Sequence, residues 1–247
     1  MSVLKRGSRG PLVQQLKRRL RAHGHWRQAW GYTTGFGRIT DQQVRIFQAK
    51  AGLIVDGQVG PQTWAALNAP AFNASKGERA RAVNWALSKQ GITERPAGSN
   101  QGPGRDGITA IQEAAGYPGG GVPYCQCFAS YSAQVGSRGR LRANTFGGYT
   151  VAVVDMARNG SHGLRLGTLR SARPGDWIEF NFPGGESVDH VGVFLRHDSA
   201  AGTVTCIEAN TSAPGDTTGS QANGQGIWTR TRSVQAVGAV VVIPFKS

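Results

Sequence analysis

The chain has 247 residues, 39% of them apolar, which fits a folded protein of one large domain or two modest ones. Its three cysteines are too few, and odd in number, for a framework of disulfide bonds. The net charge of +14 is uneven, because residues 1–70 hold eleven Lys and Arg against two Asp. Such a basic segment attracts polyanions, but no RNP motif, zinc-finger spacing or basic-aromatic groove favours nucleic acid, and we expect none as a partner.

The sequence predicts no membrane-spanning segment. Its longest apolar stretch, residues 234–243, is too short to cross a bilayer and is typical of a buried strand. The N-terminal residues carry charge but lack the apolar stretch of a secretory signal. We therefore expect no signal peptide, no stable membrane insertion, and a protein kept in a cytoplasm unless something else releases it.

A first helix is predicted over residues 10–22. Its basic side chains, Lys17 among them, lie mostly on one face, which we expect to be exposed. Its apolar side chains recur at helical spacing on the other face, which we expect to be buried: Leu12, Val13, Leu16 and Leu20.

Two more helices are predicted before residue 70. Thr40 is placed to cap the second helix, and Gly52 lies beyond its end. The third helix follows a turn at residues 56–57 and has Pro61 in its first turn. Four inward-facing apolar side chains then complete a minimal three-helix core: Val44, Phe47, Trp64 and Leu67.

Three motifs mark this N-terminal module: a QxxL helix, the stretch ITDQQVRIFQAKAGLIVDG, and DGQVGPQTW at residues 56–64. Together they resemble the peptidoglycan-binding three-helix domain common at the ends of wall hydrolases, over residues 12–67. The resemblance implies that bacterial peptidoglycan is the partner of the module. The turn and helix signature also suits a purely structural role, so binding follows from the module and not from any named residue.

A change of pattern predicts two domains, residues 1–70 and 78–247, joined by a small, polar linker at residues 71–77. The second domain begins with helical segments and a long loop rich in Gly, Pro, Ser and Asn. From about residue 174 the pattern becomes short strands separated by turns. Helices followed by an antiparallel sheet indicate an α+β domain.

Cys125 follows the run GGGVP, which cannot be helical, and precedes a segment that can, so we predict it in the first turn of a helix. There the helix dipole and free N–H groups stabilise a thiolate, and the same N–H groups can form part of an oxyanion hole. Cys127 lies about 200° further around the helix, so both thiols cannot face one imidazole. We expect Cys127 and Cys206 to be buried packing residues.

His190 is predicted at the start of a strand, and Glu208 and Asn210 lie on a later one. Because these last two are two residues apart, we expect them on the same face of the sheet. A carboxylate and an amide there suit the task of orienting an imidazole. The alternatives are that His190 is a satisfied core residue and that Glu208 and Asn210 terminate their strand.

The order of these motifs, a cysteine at a helix start followed by PGDWIEF, DHVGVF and CIEAN, resembles the cysteine, histidine-dependent amidohydrolase/peptidase (CHAP) family. The resemblance covers residues 78–247 and implies a papain-like α+β fold with an antiparallel sheet. It implies that Cys125 is the nucleophile and His190 the base. It further implies that Glu208 orients the base and that Asn210 is a supporting polar contact.

The same resemblance suggests two substrate-facing residues. Tyr124 stands where the family more usually has Trp, and would keep an aromatic wall beside the nucleophile. Asn100 lies in GITERPAGSNQG, which looks like the loop before the nucleophile in one branch of the family. It either contacts substrate or, as Ser-Asn before Gly indicates, forms a turn. The chemistry requires no cofactor and no metal, and we predict no metal site.

The two resemblances together imply a monomeric hydrolase of bacterial peptidoglycan, similar to phage endolysins, which stay in the host cytoplasm until released to the wall. Thiol chemistry of this kind cuts an amide bond. We prefer the N-acetylmuramoyl–L-alanine amide to a peptide bond of the stem or cross-bridge. A host autolysin and a non-catalytic wall-binding protein are the alternatives.

Overall fold

The computed structural model describes residues 3–51, 53, 55–68, 77–104, 107–182, 187–213 and 224–246. It has two compact units, unit 1 (Met1–Asn73) and unit 2 (Ala74–Ser247). Of the predicted linker, residues 71–76 lie outside the described residues, and the predicted domain boundaries stay a prediction. The described elements combine helices with an antiparallel sheet, so the predicted α+β fold class is confirmed. None of the described helices is long and apolar enough to cross a membrane.

Unit 1 contains three α-helices: α1 (Pro11–Ala22), α2 (Arg38–Lys50) and α3 (Pro61–Asn68). Both α1 and α3 begin with proline, which suits a first turn because its missing N–H has no helical partner there. The predicted cap of α2 is wrong, since α2 begins two residues before Thr40 and Thr40 lies buried inside it. Gly52, predicted beyond the end of α2, lies outside the described residues.

The core of unit 1 contains most of the predicted apolar residues: Val13, Leu16, Leu20, Val44, Phe47, Trp64 and Leu67. Two residues of α1 differ from the prediction, because Leu12 is 46% exposed and Lys17 only 2% exposed. The Lys17 ammonium donates to the carbonyl oxygens of Thr33 (2.9 Å) and Gly35 (2.8 Å) and lies over the ring of Trp26. The Lys17 ammonium is therefore held inside unit 1 by hydrogen bonds and a ring contact, and its role is structural.

Unit 2 contains five described α-helices: α4 (Glu78–Ser88), α5 (Ile108–Ala114), α6 (Cys125–Gly136), α7 (Ala143–Phe146) and α8 (Thr150–Arg158). Nearly every residue of α6 is buried, because it packs between α4, α5, α7 and the sheet. Gly136 allows the close approach of α4, since a Cβ at this position would lie 2.6 Å from Cβ of Ala82. The central position of α6 fixes its first residue relative to the sheet.

The sheet has six described strands: β1 (Arg165–Leu166), β2 (Trp177–Phe180), β3 (His190–Asp198), β4 (Thr203–Thr211), β5 (Gly226–Ser233) and β6 (Val237–Val242). Their order is β1-β6-β2-β3-β4-β5, and every neighbouring pair is antiparallel. The strand predicted over residues 234–243 is shorter than expected, because Val234–Ala236 forms a 3-10 turn before β6.

The register of β3 places His190 near Glu208. Gly192 of β3 pairs with Glu208 of β4, and Gly192 is two residues from His190, so all three lie on one face of the sheet. The absence of a side chain at Gly192 leaves space for its neighbours. A Cβ there would lie 3.0 Å from Cγ of Glu208 and 2.5 Å from Cβ of Cys206.

Candidate active site

Cys125 is the first residue of α6, as the sequence predicted, and is 5% exposed. The turn before it needs glycine, because residues 119–121 all have positive φ (80°, 68° and 81°). Burial raises the pKa of the Cys125 thiol to about 12, and the nearby carboxyl of Glu179 adds to this. The N–H of Gln126 at the helix start favours the thiolate, as predicted, but burial has the larger effect. The resting thiol is therefore neutral at pH 7.

The Cys125 thiol lies at the start of β3. The backbone N–H of Val191 is close enough to the sulfur to lower the pKa of the thiol, in opposition to burial. Val191 directly follows His190 in β3. The structure thus brings the predicted nucleophile to the peptide segment that carries the predicted base.

Cys127 has different neighbours. Its Sγ lies 3.9 Å from the carbonyl oxygen of Pro123, and a Cβ at Gly148 would come within 2.8 Å of it. Burial raises the pKa of Cys127 to about 12. Cys206 is fully buried in the core on the Glu208 face of the sheet. Both thiols are therefore buried packing residues, as the sequence predicted.

His190 is fully buried and bonded to Glu208. Its Nε2 lies 3.0 Å from Oε2 of Glu208, and the rings of Phe180 and Phe182 lie close to the imidazole. Its Nδ1 is also buried and has no hydrogen-bond partner among the described residues. In the neutral tautomer that donates from Nε2 to an ionised Glu208, Nδ1 is an unprotonated acceptor.

Glu208 also binds Arg232 of β5, a residue that the sequence reasoning did not single out. Nη2 of Arg232 lies 2.6 Å from Oε2 of Glu208, and Nε lies 3.1 Å from Oε1. Burial by itself raises the pKa of Glu208, but the hydrogen bonds and charges of His190 and Arg232 outweigh it and hold the pKa below its usual value. Glu208 is therefore a buried carboxylate between an imidazole and a guanidinium.

Asn210 does not follow the strand alternation on which its prediction depended. The register of β4 shifts between Ala209 and Thr211, and Asn210 between them has φ 59°, in the left-handed region. The hydroxyl of Thr211 accepts a hydrogen bond of 3.0 Å from Nη2 of Arg232. The bulge interrupts the regular alternation from which the shared face was predicted, and the supporting role of Asn210 stays a prediction.

Tyr124 and Asn100 both occupy positions that support the fold of the site. Tyr124 is fully buried, with the carboxyl of Glu94 close to it, so it offers no surface to substrate in this structure. Asn100 has φ 52°, its N–H donates to Oε2 of Glu94, and its carbonyl accepts from the side chain of Gln112. These contacts support the turn interpretation of Asn100, and substrate contact by either residue stays a prediction.

Glu179 of β2 is a second buried carboxyl that the sequence reasoning missed. It pairs with Val191 across the sheet, it is fully buried, and both carboxyl oxygens lack a hydrogen-bond partner among the described residues. Burial raises its pKa well above the usual value. The motif PGDWIEF gave no signal for this, because a glutamate at a strand position ordinarily faces solvent.

The described residues contain no group of three His, Cys, Asp or Glu side chains that could hold a metal ion. The described residues place the Cys125 thiol at the start of a helix. They also hold the His190 imidazole by its bond to the Glu208 carboxylate, with Nδ1 unbonded among the described residues. A thiol, an imidazole and an orienting carboxylate are the groups that nucleophilic attack on a carbonyl requires.

Comparison with known proteins gives matches over parts of the chain. The chain is 40% identical over 68 residues to N-acetylmuramoyl-L-alanine amidase CwlL of Bacillus licheniformis, which is 28% of this chain and 19% of that protein. It thus spans about a fifth of the length of the curated relative it matches. The crystal structure of the Burkholderia AP3 phage endolysin is 29% identical, covering 39% of this chain and 40% of that one, with a TM-score of 0.26. Residues 9–67 match the family described as "Putative peptidoglycan binding domain", the family that the sequence of this module resembles.

Proposed function

We propose that the protein is a cell-wall hydrolase that cleaves an amide bond of peptidoglycan with Cys125 as its nucleophile. The observation that carries the chemistry is the buried His190–Glu208 pair, whose Nδ1 has no hydrogen-bond partner among the described residues, with the Cys125 thiol at the backbone N–H of the next residue, Val191. The match of residues 9–67 supports peptidoglycan as the partner. In this proposal residues 1–70 bind the wall, residues 71–77 link the two parts, and residues 78–247 form a CHAP-type catalytic domain.

The raised pKa of Cys125 supports one of two forms of the mechanism. It favours a neutral thiol and imidazole at rest over a preformed thiolate and imidazolium. Nδ1 of His190 then takes the thiol proton as the sulfur attacks the amide carbonyl. Ionised Glu208 stabilises the imidazolium through Nε2, and N–H groups at the start of α6 stabilise the oxyanion.

The second half of the reaction follows from the same groups. The imidazolium of His190 returns its proton to the leaving amine, and the C–N bond breaks to leave a thioester on Cys125. His190 then accepts a proton from water, whose oxygen attacks the thioester carbonyl. Cys125 leaves as the thiol after it regains that proton, and the carboxylic acid product is released.

Two bonds of peptidoglycan are candidates for the one that is cut. The similarity to an N-acetylmuramoyl-L-alanine amidase favours the bond between muramic acid and L-alanine, but it spans only 28% of this chain. The second candidate is an endopeptidase that cuts the stem or cross-bridge, because the same thiol chemistry serves any amide. The assignment to phage endolysins, held as monomers in the host cytoplasm until release, rests on the sequence resemblances alone.

Mass analysis of the fragments released from purified peptidoglycan of known structure tests the function. An amidase releases stem peptides with a free L-alanine amine and leaves glycan strands without peptide. An endopeptidase leaves L-alanine attached to the glycan and frees an amine within the stem or cross-bridge. Release of no fragment by the folded protein, together with retention on the wall, would instead favour the non-catalytic wall-binding alternative.

A further inference from the structure

Arg232 contacts Glu208 more extensively than a surface ion pair would. Its Nη2 and Nε both donate to the carboxylate, at 2.6 and 3.1 Å to different oxygens, and Nη2 also donates to Oγ1 of Thr211. The guanidinium lies 5.0 Å from the centre of the Phe182 ring, and Phe182 itself packs beside His190. Arg232 is thus held from three sides behind the carboxylate that holds the imidazole.

The surroundings of Glu208 require a partner of this kind. The side chain of Glu208 is fully buried, with a relative exposure of 0%. The titratable groups that face it are His190 from β3, Cys206 from its own strand and Arg232 from β5. Cys206 is neutral, because burial raises the pKa of its thiol well above the usual value. His190 supplies one donor through Nε2, and Arg232 supplies a permanent positive charge beside the carboxylate.

We infer that Arg232 is a positioning residue that fixes the Glu208 carboxylate against Nε2 of His190 and supplies the positive charge that this buried carboxylate requires. The inference rests on the proposed function, and it adds a fourth member to the Cys125, His190 and Glu208 set. Arg232 acts on the reaction only through Glu208. Its planar guanidinium sets the orientation of the carboxylate, because two parallel N–H···O bonds allow one relative geometry.

Loss of Arg232 has a definite sign in the pH profile. Without the guanidinium, burial raises the pKa of Glu208, and a protonated Glu208 no longer stabilises the imidazolium of His190. The acid limb of activity therefore moves to higher pH, by about one to three units for the loss of one close opposite charge. Activity below the new limb falls towards that of Glu208→Gln, which carries no charge at this position at any pH.

The experiment compares Arg232→Met with the wild type in full-length protein. Initial rates of fragment release from purified peptidoglycan are measured between pH 4 and pH 9, and the ratio of variant to wild type is taken at each pH. Titration of the substrate then cancels, because both proteins meet the same wall. Unfolding temperature is measured at the same pH values, so that loss of folded protein is not read as loss of activity.

A matched control removes another buried ion pair of unit 2. Nη1 of Arg79 lies 2.7 Å from Oδ1 of Asp176, whose side chain is fully buried at the end of β2 remote from the Phe180–His190 pairing. Arg79→Met should lower the unfolding temperature and leave the acid limb of the folded protein in place. An unshifted acid limb in Arg232→Met, with only a lowered unfolding temperature, would show Arg232 to be structural and overturn the inference.

Two further variants keep the test decisive should Arg232→Met fail to fold. Arg232→Lys retains the charge but not the two parallel bonds, so its acid limb should stay in place while its rate falls at all pH values. Wild-type activity in this variant contradicts the orienting role. The double variant Glu208→Gln with Arg232→Met has no unpaired buried charge, and its rate should equal that of Glu208→Gln alone.

A further loss of activity in the double variant would mean that Arg232 acts by a route other than Glu208, and the inference would be wrong. The outcome for the proposed function is separate. If the folded wild type releases no fragments, the hydrolase proposal itself fails. If the wild type is active and Arg232→Met behaves like Arg79→Met, only the role of Arg232 is lost.

Discussion

The two units differ in whether their buried polar side chains have hydrogen-bond partners. In unit 1, no described buried side-chain nitrogen or oxygen lacks a hydrogen-bond partner. The amide of Gln48, for example, donates to Asp56 and accepts from the N–H of Gly57. In unit 2, by contrast, Nδ1 of His190 and both carboxyl oxygens of Glu179 are buried without a partner among the described residues.

The difference is consistent with the proposed functions of the two units. A buried polar atom without a partner costs about 1–3 kcal/mol, so it persists where something else depends on it. In unit 1, the side chains of Lys17 and Gln48 use their hydrogen bonds to hold loops against helices. The free Nδ1 of His190 is the acceptor that the proposed reaction needs.

The largest effect is expected from Cys125→Ala, which removes the nucleophile. Release of fragments from purified peptidoglycan should cease, while the far-UV circular dichroism and the sedimentation of the protein with the wall stay unchanged. The reason is that, in the proposed function, binding depends on unit 1 and bond cleavage on the thiol of unit 2.

Cys127→Ala is the matched control, because it removes a buried thiol two residues away. It should retain fragment release and lose some stability, since Cys127 packs closely against Gly148. The opposite pattern, with Cys125→Ala active and Cys127→Ala inactive, would show that the nucleophile is misassigned.

His190→Ala should cost almost as much as the loss of Cys125, on the order of 10²- to 10⁴-fold in rate, because nucleophile and base act as a unit. Glu208→Gln should be milder per folded molecule, since an amide can still accept from Nε2. It should however lower the unfolding free energy by about 3–5 kcal/mol, because it removes the buried carboxylate that pairs with Arg232. Near-equal rates for wild type and His190→Ala would remove His190 from the mechanism.

Separation of the units tests the comparison directly. A fragment of residues 75–247 should retain hydrolysis of small soluble muropeptides but act more slowly on intact wall, because the N-terminal module raises the local concentration of substrate by tethering. The difference in rate between the fragment and the full chain on intact wall should shrink as salt rises. The reason is that attraction between exposed charges is screened within about 8 Å at physiological ionic strength.

The pelleting assay uses both fragments at low and high salt, paired with loss of turbidity. Residues 1–70 alone should sediment with purified peptidoglycan and cause no lysis. If residues 75–247 sediment as well as the full chain does, and residues 1–70 stay in solution, the binding assignment of unit 1 is wrong. Binding of residues 1–70 to DNA would then be the next measurement, given their excess of basic residues.

Local features of the sequence predicted most of the fold. The run GGGVP placed Cys125 at a helix start, and apolar spacing placed Val13, Leu16 and Leu20 in the core. Such patterns depend only on residues that are close in sequence, so they can be predicted from the sequence. Lys17 escaped the pattern because its burial depends on carbonyl groups sixteen and eighteen residues away.

The parts of the site that sequence could not predict depend on strand pairing. Arg232 lies 24 residues after Glu208 and meets it only because β5 pairs with β4 in one register. Alternation along β4 suggested that Asn210 would face the same way as Glu208, but a bulge at Asn210 ends that alternation. In the sequence, Glu179 resembles any polar residue of a strand. Its burial depends on the pairing of β2 with β3 on one side and β6 on the other.

The smallest effect, and the sharpest test of the contrast between the units, is expected from Glu179→Gln. Burial raises the pKa of Glu179, so the folded protein keeps its proton at pH values where the unfolded chain has lost it. Stability therefore falls as pH rises above the unfolded value of about 4.3. Glutamine is neutral throughout, so the unfolding temperature of the variant should match the wild type near pH 4 and exceed it increasingly towards pH 8. For a domain of this size, 1 kcal/mol corresponds to about 2–4 °C.

Glu113→Gln provides the control, because Glu113 is exposed and its loss removes the same charge. Its difference from the wild type should vary little with pH. Activity of Glu179→Gln at pH 7 should stay close to that of the wild type, since the substitution replaces one neutral side chain with another of similar shape beside Cys125. An unfolding temperature that falls by the same amount at every pH would mean that Glu179 is bonded in solution. Glu179 would then no longer count among the buried polar groups of unit 2 that lack a hydrogen-bond partner.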